Sequence, residues 1–319
     1  MFAGNDTEQH DQDADGTQAP RVSVVTMTFN RPAALRRCLV SLAAQTLSTN
    51  AFEVVVVDVS TPPVTDVLAE FAAQLQIVHV VVPNGGVAAN RNAGAARARG
   101  TVLAFLDDDC RADHEWLAAL TDVVEQRPDA LVAARVVHEA PDTVVATAGQ
   151  VITEAVDAFF NAPHSTPRFL PGLNFALNRQ AYLALGGCDA RYGRLAAEDR
   201  DFVDRWQVAG GTLVYVARTY VHHDHRSSLR GFVRQYVNYG RGAWRYHRLR
   251  RARGSGRMAD DLRLHTGLPR YVRAPLARVP FTEWVPVVAL LGVWQLANAV
   301  GFAWQAVVET LSSSNTSER

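Results

Sequence analysis

Over the first two thirds of the chain, two hydrophobic rhythms take turns. Short, almost continuously apolar runs occupy Val22 to Met27, Phe52 to Val57, Ile77 to Val82 and Val102 to Leu106. Their length and valine content predict strands buried on both faces. Between them apolar residues recur three and four positions apart, which predicts helices. Pro32 suits a first helical turn, and Leu35, Leu39, Leu42 and Ala43 follow on one face. Val64 to Leu75 predicts the next helix, and Ala88 to Ala96 another after the break Pro83-Asn84-Gly85-Gly86. Such an alternation predicts an α/β fold, a mostly parallel central sheet flanked by helices. Further on, the pattern predicts a helix over 114–126, a strand over 131–137, hairpins or loops over 141–171, a strand over 174–177, helices over 179–185 and 198–207, and a strand over 212–217. No internal repeat is visible, and residues 20–225 are expected to form one domain.

The two ends differ from this pattern. Residues 1–19 hold Asp6, Glu8, Asp11, Asp13 and Asp15 without a basic residue, which predicts a disordered acidic tail. It has neither the basic start nor the apolar stretch of a secretory signal. Residues 226–319 are expected to form a helical extension. Within it, 226–278 carry 14 arginines against Asp260 and Asp261, and 284–308 carry no charge, with Trp284, Trp294 and Trp304 ten residues apart. An arginine belt beside an apolar, tryptophan-bearing helix suits an anionic membrane surface, packing against the rest of the chain, or a second copy in a homo-oligomer. The uncharged run is also long enough to span a bilayer, although Pro286, Gln295, Asn298 and Gln305 make it polar for a simple span.

Composition changes the picture in two respects. The chain has no lysine, so all 32 of its Lys-plus-Arg positions are arginine, a residue whose planar fork matches phosphate. Cys38, Cys110 and Cys188 are too few and too scattered for a disulfide scaffold or a thiolate metal site, which points to a cytoplasmic setting, peripheral at the inner face of the cell membrane if the extension meets lipid.

The chemistry concentrates at strand ends. Asp58 closes the second strand and Asp107-Asp108-Asp109 the fourth, where ligands of open α/β sheets gather. Three adjacent carboxylates repel one another, and a divalent cation relieves the repulsion. Their hard oxygens suit Mg²⁺ or Mn²⁺, which also take phosphate oxygens. In extended geometry Asp107 and Asp109 share a side and Asp108 faces elsewhere.

Several segments then match one family in order and spacing. Val22 to Thr46 (VSVVTMTFNRPAALRRCLVSLAAQT), Glu53 to Thr61, Val87 to Gly100 (VAANRNAGAARARG) and Ala104 to Cys110 (AFLDDDC) resemble family 2 glycosyltransferases of the GT-A fold, the nucleotide-diphospho-sugar transferase fold. The resemblance covers roughly residues 22–225. It implies an inverting, metal-dependent transfer of a sugar from a nucleotide-diphospho-sugar donor to an acceptor hydroxyl on a carbohydrate, lipid-linked or small-molecule acceptor. It places Thr28, Phe29 and Asn30 beside the nucleotide base, Asp58 on base or ribose, Arg91 and Asn92 near the diphosphate, Asp107 and Asp108 on ribose or sugar, and Asp109 on the metal, with Asp107 a further ligand. Val59 stands where the family commonly has a second aspartate, which loosens the assignment of the base. Downstream, Gly186 to Tyr192 and Leu195 to Phe202 resemble the acceptor-side segment. Asp199 is the expected general base and Glu198 the next candidate; both could instead cap a helix. In the run Tyr220 to His225, His222 is the preferred metal ligand and His223 the reserve. Arg226 and Arg230 are candidates to reach phosphate, and Tyr236, Tyr239 and Trp244 to wall the acceptor.

Three alternatives compete. A nucleic-acid-binding module is motivated by the arginines but lacks any recognised binding signature, and the acidic strand end would repel a backbone. A nucleotidyltransferase also uses an acidic metal site, yet no glycine-rich, lysine-bearing loop follows the first strand. A catalytically inactive scaffold of the same fold is the third, suggested by Val59.

Overall fold

The structure, a computed structural model, describes residues 19–138, 143–161, 167–224 and 228–316. The acidic segment expected to be disordered lies outside these residues apart from position 19, as do His225 and Arg226. The described residues form two compact units, one drawn from 1–137, 170–193 and 205–224, the other from 138–169, 194–204 and 225–319.

The first unit is built on an eight-stranded sheet in the order β3-β2-β1-β4-β7-β6-β8-β5. The strands are β1 (Val22–Thr28), β2 (Phe52–Asp58), β3 (Ile77–Val81), β4 (Val102–Leu106), β5 (Cys110–Ala112), β6 (Ala130–His138), β7 (Asn174–Asn178) and β8 (Thr212–His223). The half made of β3, β2, β1 and β4 is parallel, while β7 pairs antiparallel with β4 and β5 with β8. The sheet is therefore mixed, parallel where strands alternate with helices and antiparallel beyond β4.

Strand alternation assigns the faces. Val22, Val24, Phe52, Val54, Val56, Val102, Ala104 and Leu106 pack with α1 (Pro32–Ala43), α2 (Thr65–Ala69) and α4 (Trp116–Gln126). On the opposite face Val25 and Val57 meet α3 (Val87–Arg97) at Gly94, where a Cβ would lie 2.4 Å from a Val25 methyl. Phe105, Phe175 and Tyr182 of α6 (Arg179–Ala184) cluster beside them, with ring centroids 4.9 and 5.4 Å from Phe105. Both faces are covered, as the valine-rich runs require.

The second unit is helical: α5 (Val144–Phe160), α8 (Leu229–Arg253), α9 (Met258–Thr266), α10 (Leu268–Leu276) and α11 (Trp284–Thr316). The helix α7 (Glu198–Val208) has its first turns in this unit and its last residues in the other. The expectation of hairpins or loops over 141–171 is corrected by α5. Its first turn is capped by the Thr143 hydroxyl, which accepts from the Ala146 N–H, worth about 1 kcal/mol. Ala148, Val151, Ile152 and Ala155 form its buried stripe against Phe232, Tyr236, Val287, Leu291 and Trp294. Val144, Val145, Thr147, Val151, Ile152, Thr153 and Val156 are β-branched and lower local helix propensity, so packing of that stripe supports the helix.

Candidate active site

In the first unit, the carboxyl ends of β2 and β4 flank the end of β1 and gather the predicted residues. Asp58 is fully buried at the end of β2. Its two oxygens accept N–H bonds from Ser60 (2.9 Å) and Val64 (2.8 Å), and His79 Nε2 lies 3.0 Å away. Burial works against the charged carboxylate, but these backbone donors and His79 hold its pKa below the usual range. The carboxylate thereby shapes the loop after β2. Asn30 docks onto the same loop: its N–H donates to Ser60 Oγ at 2.9 Å and its Oδ1 accepts from Thr61 N–H at 2.9 Å. Asn30 sits in the left-handed region, with φ 52°, which asparagine tolerates better than most side chains. Val59, the departure from the family pattern, donates its N–H to the Thr28 carbonyl at 3.1 Å.

The aspartate run does not continue the strand. The Cys110 N–H donates back to the Asp107 carbonyl at 3.0 Å, closing a turn. The expectation that Asp108 faces away from its neighbours is corrected by that turn. Asp108 and Asp109 share one guanidinium, Arg31, at 2.6 and 2.7 Å. Asp107 instead lies 3.6 Å from Arg91. Asp108 is fully buried, and burial pushes its pKa up to about 7 despite Arg31 and the Thr28 hydroxyl. Burial likewise raises Asp107, opposed by Arg91.

Arg91 is itself buried, donates to the Gly172 carbonyl at 2.7 Å and lies over the Phe175 ring. Asn92, expected beside it at the diphosphate, is committed to the fold. Its Nδ2 donates to the Cys188 carbonyl at 2.7 Å, and its Oδ1 accepts from the Tyr182 hydroxyl at 2.6 Å and the Cys188 N–H at 2.9 Å. It pins the Gly186-Gly187 turn to α3.

A third strand completes the cluster. β8 runs to His223, well beyond the expected end at 217, and its pairing with β5 sets Cys110 opposite His223 and Arg111 opposite His222. An oxygen of Asp109, the Cys110 sulfur and a ring nitrogen of His223 lie within 4.8 Å of one another, and His223 Nε2 is 3.6 Å from Asp109. The histidine beside the aspartates is thus His223. Strand alternation turns His222 to the other side, edge-on to Tyr220 at 5.1 Å, where burial and the Arg111 charge lower its pKa. Carboxylate oxygen and imidazole nitrogen are a donor pair suited to Mn²⁺ or Mg²⁺. The Cys110 thiol is fully buried, and burial, with the neighbouring aspartates, raises its pKa well above the ordinary value; hard Mn²⁺ or Mg²⁺ favours the oxygen and imidazole donors over its sulfur.

Arg31 stands in the matching sequence motif without an assigned role; the available signal was its place just beyond the carboxyl end of β1, the end of the sheet at which the aspartates also lie. Arg37, which pairs with Asp224 at 2.8 Å, carried no such signal.

Glu198 and Asp199 belong to the second unit, at the start of α7. Asp199 Oδ1 accepts from the Arg200 N–H at 2.8 Å. The preceding Ala197 has φ 71°, a strained conformation for a residue with a Cβ. The two following charges are fixed: Arg200 pairs with Asp261 at 2.5 Å, and Asp201 with Arg253 at 2.8 Å. Of the expected acceptor wall, Tyr236 is buried in the helical core, Tyr239 is exposed, and Trp244 packs edge-on to Phe302.

Residues 23–187 match the profile described as Glycosyl transferase family 2. The chain is similar to the pre-mycofactocin glycosyltransferase of Mycobacterium tuberculosis, 28% identical over 243 residues that cover 74% of this chain and 50% of the relative. It is also similar to the validoxylamine A glucosyltransferase of Streptomyces hygroscopicus, 39% identical over 107 residues, 33% of this chain and 25% of that one. The chain spans about half the length or less of these curated relatives. Among solved structures it resembles a mannosyltransferase of Pyrobaculum calidifontis in complex with GDP-Man and Mn²⁺, with a TM-score of 0.61, 20% identity, and coverage of 93% and 91% of the two chains. That likeness is one of fold.

Proposed function

The chain belongs to glycosyl transferase family 2, and from that we propose that it is a metal-dependent, inverting glycosyltransferase, moving a sugar from a nucleotide-diphospho-sugar to an acceptor hydroxyl. The observation that carries this reading is the pairing of Asp109 with His223 at the carboxyl end of the sheet, one strand away from the Asp58 loop. Asp109 and His223 would hold Mn²⁺ or Mg²⁺, with Asp107 close enough in the chain to join them. A bound divalent ion would offset the charge that develops on the departing diphosphate, so no acid is needed to protonate it.

The chain's own groups would do the rest. The loops held by Asp58 and Asn30 would receive the nucleotide, with Thr28 buried at the end of β1. Arg91 and Arg31 would supply positive charge toward the diphosphate, and Asp108 would orient ribose or sugar. Asn92 would support this site by keeping the 186–188 turn in place. Asp199 would take the proton of the acceptor hydroxyl as it attacks the anomeric carbon opposite the leaving group, and the strain at Ala197 supports a functional role for this helix start. The acceptor is a carbohydrate, a lipid-linked sugar or a small molecule.

A screen of UDP-, GDP- and dTDP-sugars with and without a chelator tests the reading. Transfer is expected only with divalent metal, and undiminished turnover in excess chelator would remove the role given to Asp109 and His223. Asp199→Asn is expected to lower kcat by about 10²–10⁴-fold while nucleotide affinity stays nearly constant. A variant that transfers at the normal rate places the base elsewhere.

A further inference from the structure

The second unit carries an apolar surface that the transfer chemistry does not use. α11 is apolar nearly all round, a pattern that belongs to buried or lipid-facing helices rather than to a water-facing one. One side is covered. Val287, Leu291, Trp294 and Ala297 lie in the helical core. Further along, Gly301 packs on the Val237 carbonyl, and Gly240 of α8 packs on that of Asn298. The other side is open: Val285, Val288, Leu296, Val300, Trp304, Val307 and Leu311 are exposed, by 81, 51, 66, 49, 54, 58 and 63%. Their spacing of three to eight residues makes a single stripe about 40 Å long, with no charged residue from Trp284 to Val308. Phe281, 83% exposed, stands at its start.

We propose that this stripe lies flat in the interfacial layer of an anionic membrane, with α11 parallel to the surface and the arginines of the same unit on the phospholipid headgroups. Charge selects this occupant. The second unit, residues 138–169, 194–204 and 225–319, holds eighteen arginines against thirteen acidic residues, a surplus that repels a second copy of the same unit and attracts anionic lipid. Arg270 and Arg273 are exposed on α10, shortly before Phe281. At the far end the Arg241 guanidinium stacks on the Trp304 ring at 5.0 Å, placing a cation at the edge of the apolar stripe.

Phe281–Leu311 is long and apolar enough to cross a bilayer by length and composition. Its covered side argues for the in-plane seat. α8 runs along it with eight arginines, and the seam holds Arg241 on Gln305 at 3.1 Å and Arg245 on Glu309 at 2.9 Å. A spanning α11 would take this charged neighbour into hydrocarbon, which is costly. Lying flat leaves α8 on the aqueous side.

Flotation of the full chain with vesicles tests this independently of any sugar transfer. The protein is expected to float with phosphatidylcholine vesicles containing phosphatidylglycerol, to bind pure phosphatidylcholine roughly tenfold more weakly or less, and to leave the membrane in carbonate or high salt. Leu296→Glu, at an open position, and the double variant Arg270→Gln/Arg273→Gln are each expected to weaken flotation by roughly tenfold with unchanged circular dichroism. Three results would overturn the proposal. One is protein that stays in the soluble fraction with anionic vesicles. Another is a dimer in solution that Leu296→Glu dissociates, which assigns the stripe to a second copy. The last is protein that only detergent releases, which makes α11 a span.

Discussion

Arg31 shows how one residue can answer two demands at the site. A buried carboxylate without a cation is costly, and Asp108 is fully buried. The Arg31 fork meets that need while also pairing with Asp109, the proposed metal ligand. Arg31→Gln is therefore expected to destabilise the metal-free protein by about 1–3 kcal/mol, reduced from a fully buried pair because Arg31 is half exposed. Excess Mn²⁺ should narrow the gap in melting temperature between variant and parent, because a divalent cation can neutralise the same carboxylates. A gap that is unchanged by Mn²⁺ would separate Arg31 from the metal site. Asn92 makes a contrasting case, since its amide is spent on three internal hydrogen bonds. Asn92→Ala should cost about 2–4 kcal/mol in urea unfolding, and an effect confined to donor affinity would contradict its structural role.

Among the elements, α11 offers an internal control on close packing. At Gly301 a Cβ would sit 2.0 Å from the Val237 carbonyl oxygen, whereas at Gly292 no atom lies within 4 Å of one. Gly301→Ala must push α8 and α11 apart and is expected to cost about 1–3 kcal/mol. Gly292→Ala, the same change in the same helix, should stabilise by up to about 1 kcal/mol through helix propensity. Equal effects at the two positions, read by thermal unfolding, would reject the tight seam. Elements also differ in how readily the chain announces them. β1, β2 and β4 are buried on both faces, so their apolar runs stand out without reference to a partner. α5 is hidden by its β-branched residues, and its stripe at Ala148, Val151, Ile152 and Ala155 gains meaning only once Phe232 and Leu291 pack against it.

For the whole molecule, stability against acid combines groups of opposite sign. In the helical unit burial lowers the His247 pKa to about 4, with Arg200 and Arg250 adding to the effect and Asp261, at 3.5 Å, opposing it. Between that value and the ordinary histidine value near 6.5, the unfolded chain binds a proton that the native chain does not. Stability from this residue therefore falls as pH drops through the window. Asp108 acts the other way: its raised pKa, about 7, lets the native chain keep a proton that the unfolded chain has lost, so its contribution falls as pH rises from about 4 to about 7. The two slopes partly cancel in the parent. They separate in the difference between parent and His247→Gln, which should grow more favourable to the variant by up to roughly 3 kcal/mol from pH 7 to pH 4. A difference independent of pH would mean that His247 takes up its proton as readily in the folded chain as in the unfolded one.

The linear chain was sufficient for the family, the alternation of strands and helices, and the placing of Asp58 and Asp107 to Asp109 at strand ends, because each depends on local periodicity or on short motifs. Which histidine meets Asp109 was decided by the pairing of β8 with β5: a shift of one position turns a strand side chain to the opposite face, and Cys110 lies opposite His223. The sharing of Arg31 by Asp108 and Asp109 likewise depended on the turn at Asp107, and the open side of α11 on which of its apolar positions α8 and α5 happened to cover. Those outcomes arise from residues far apart in the chain, where spacing along the sequence carries no information about distance.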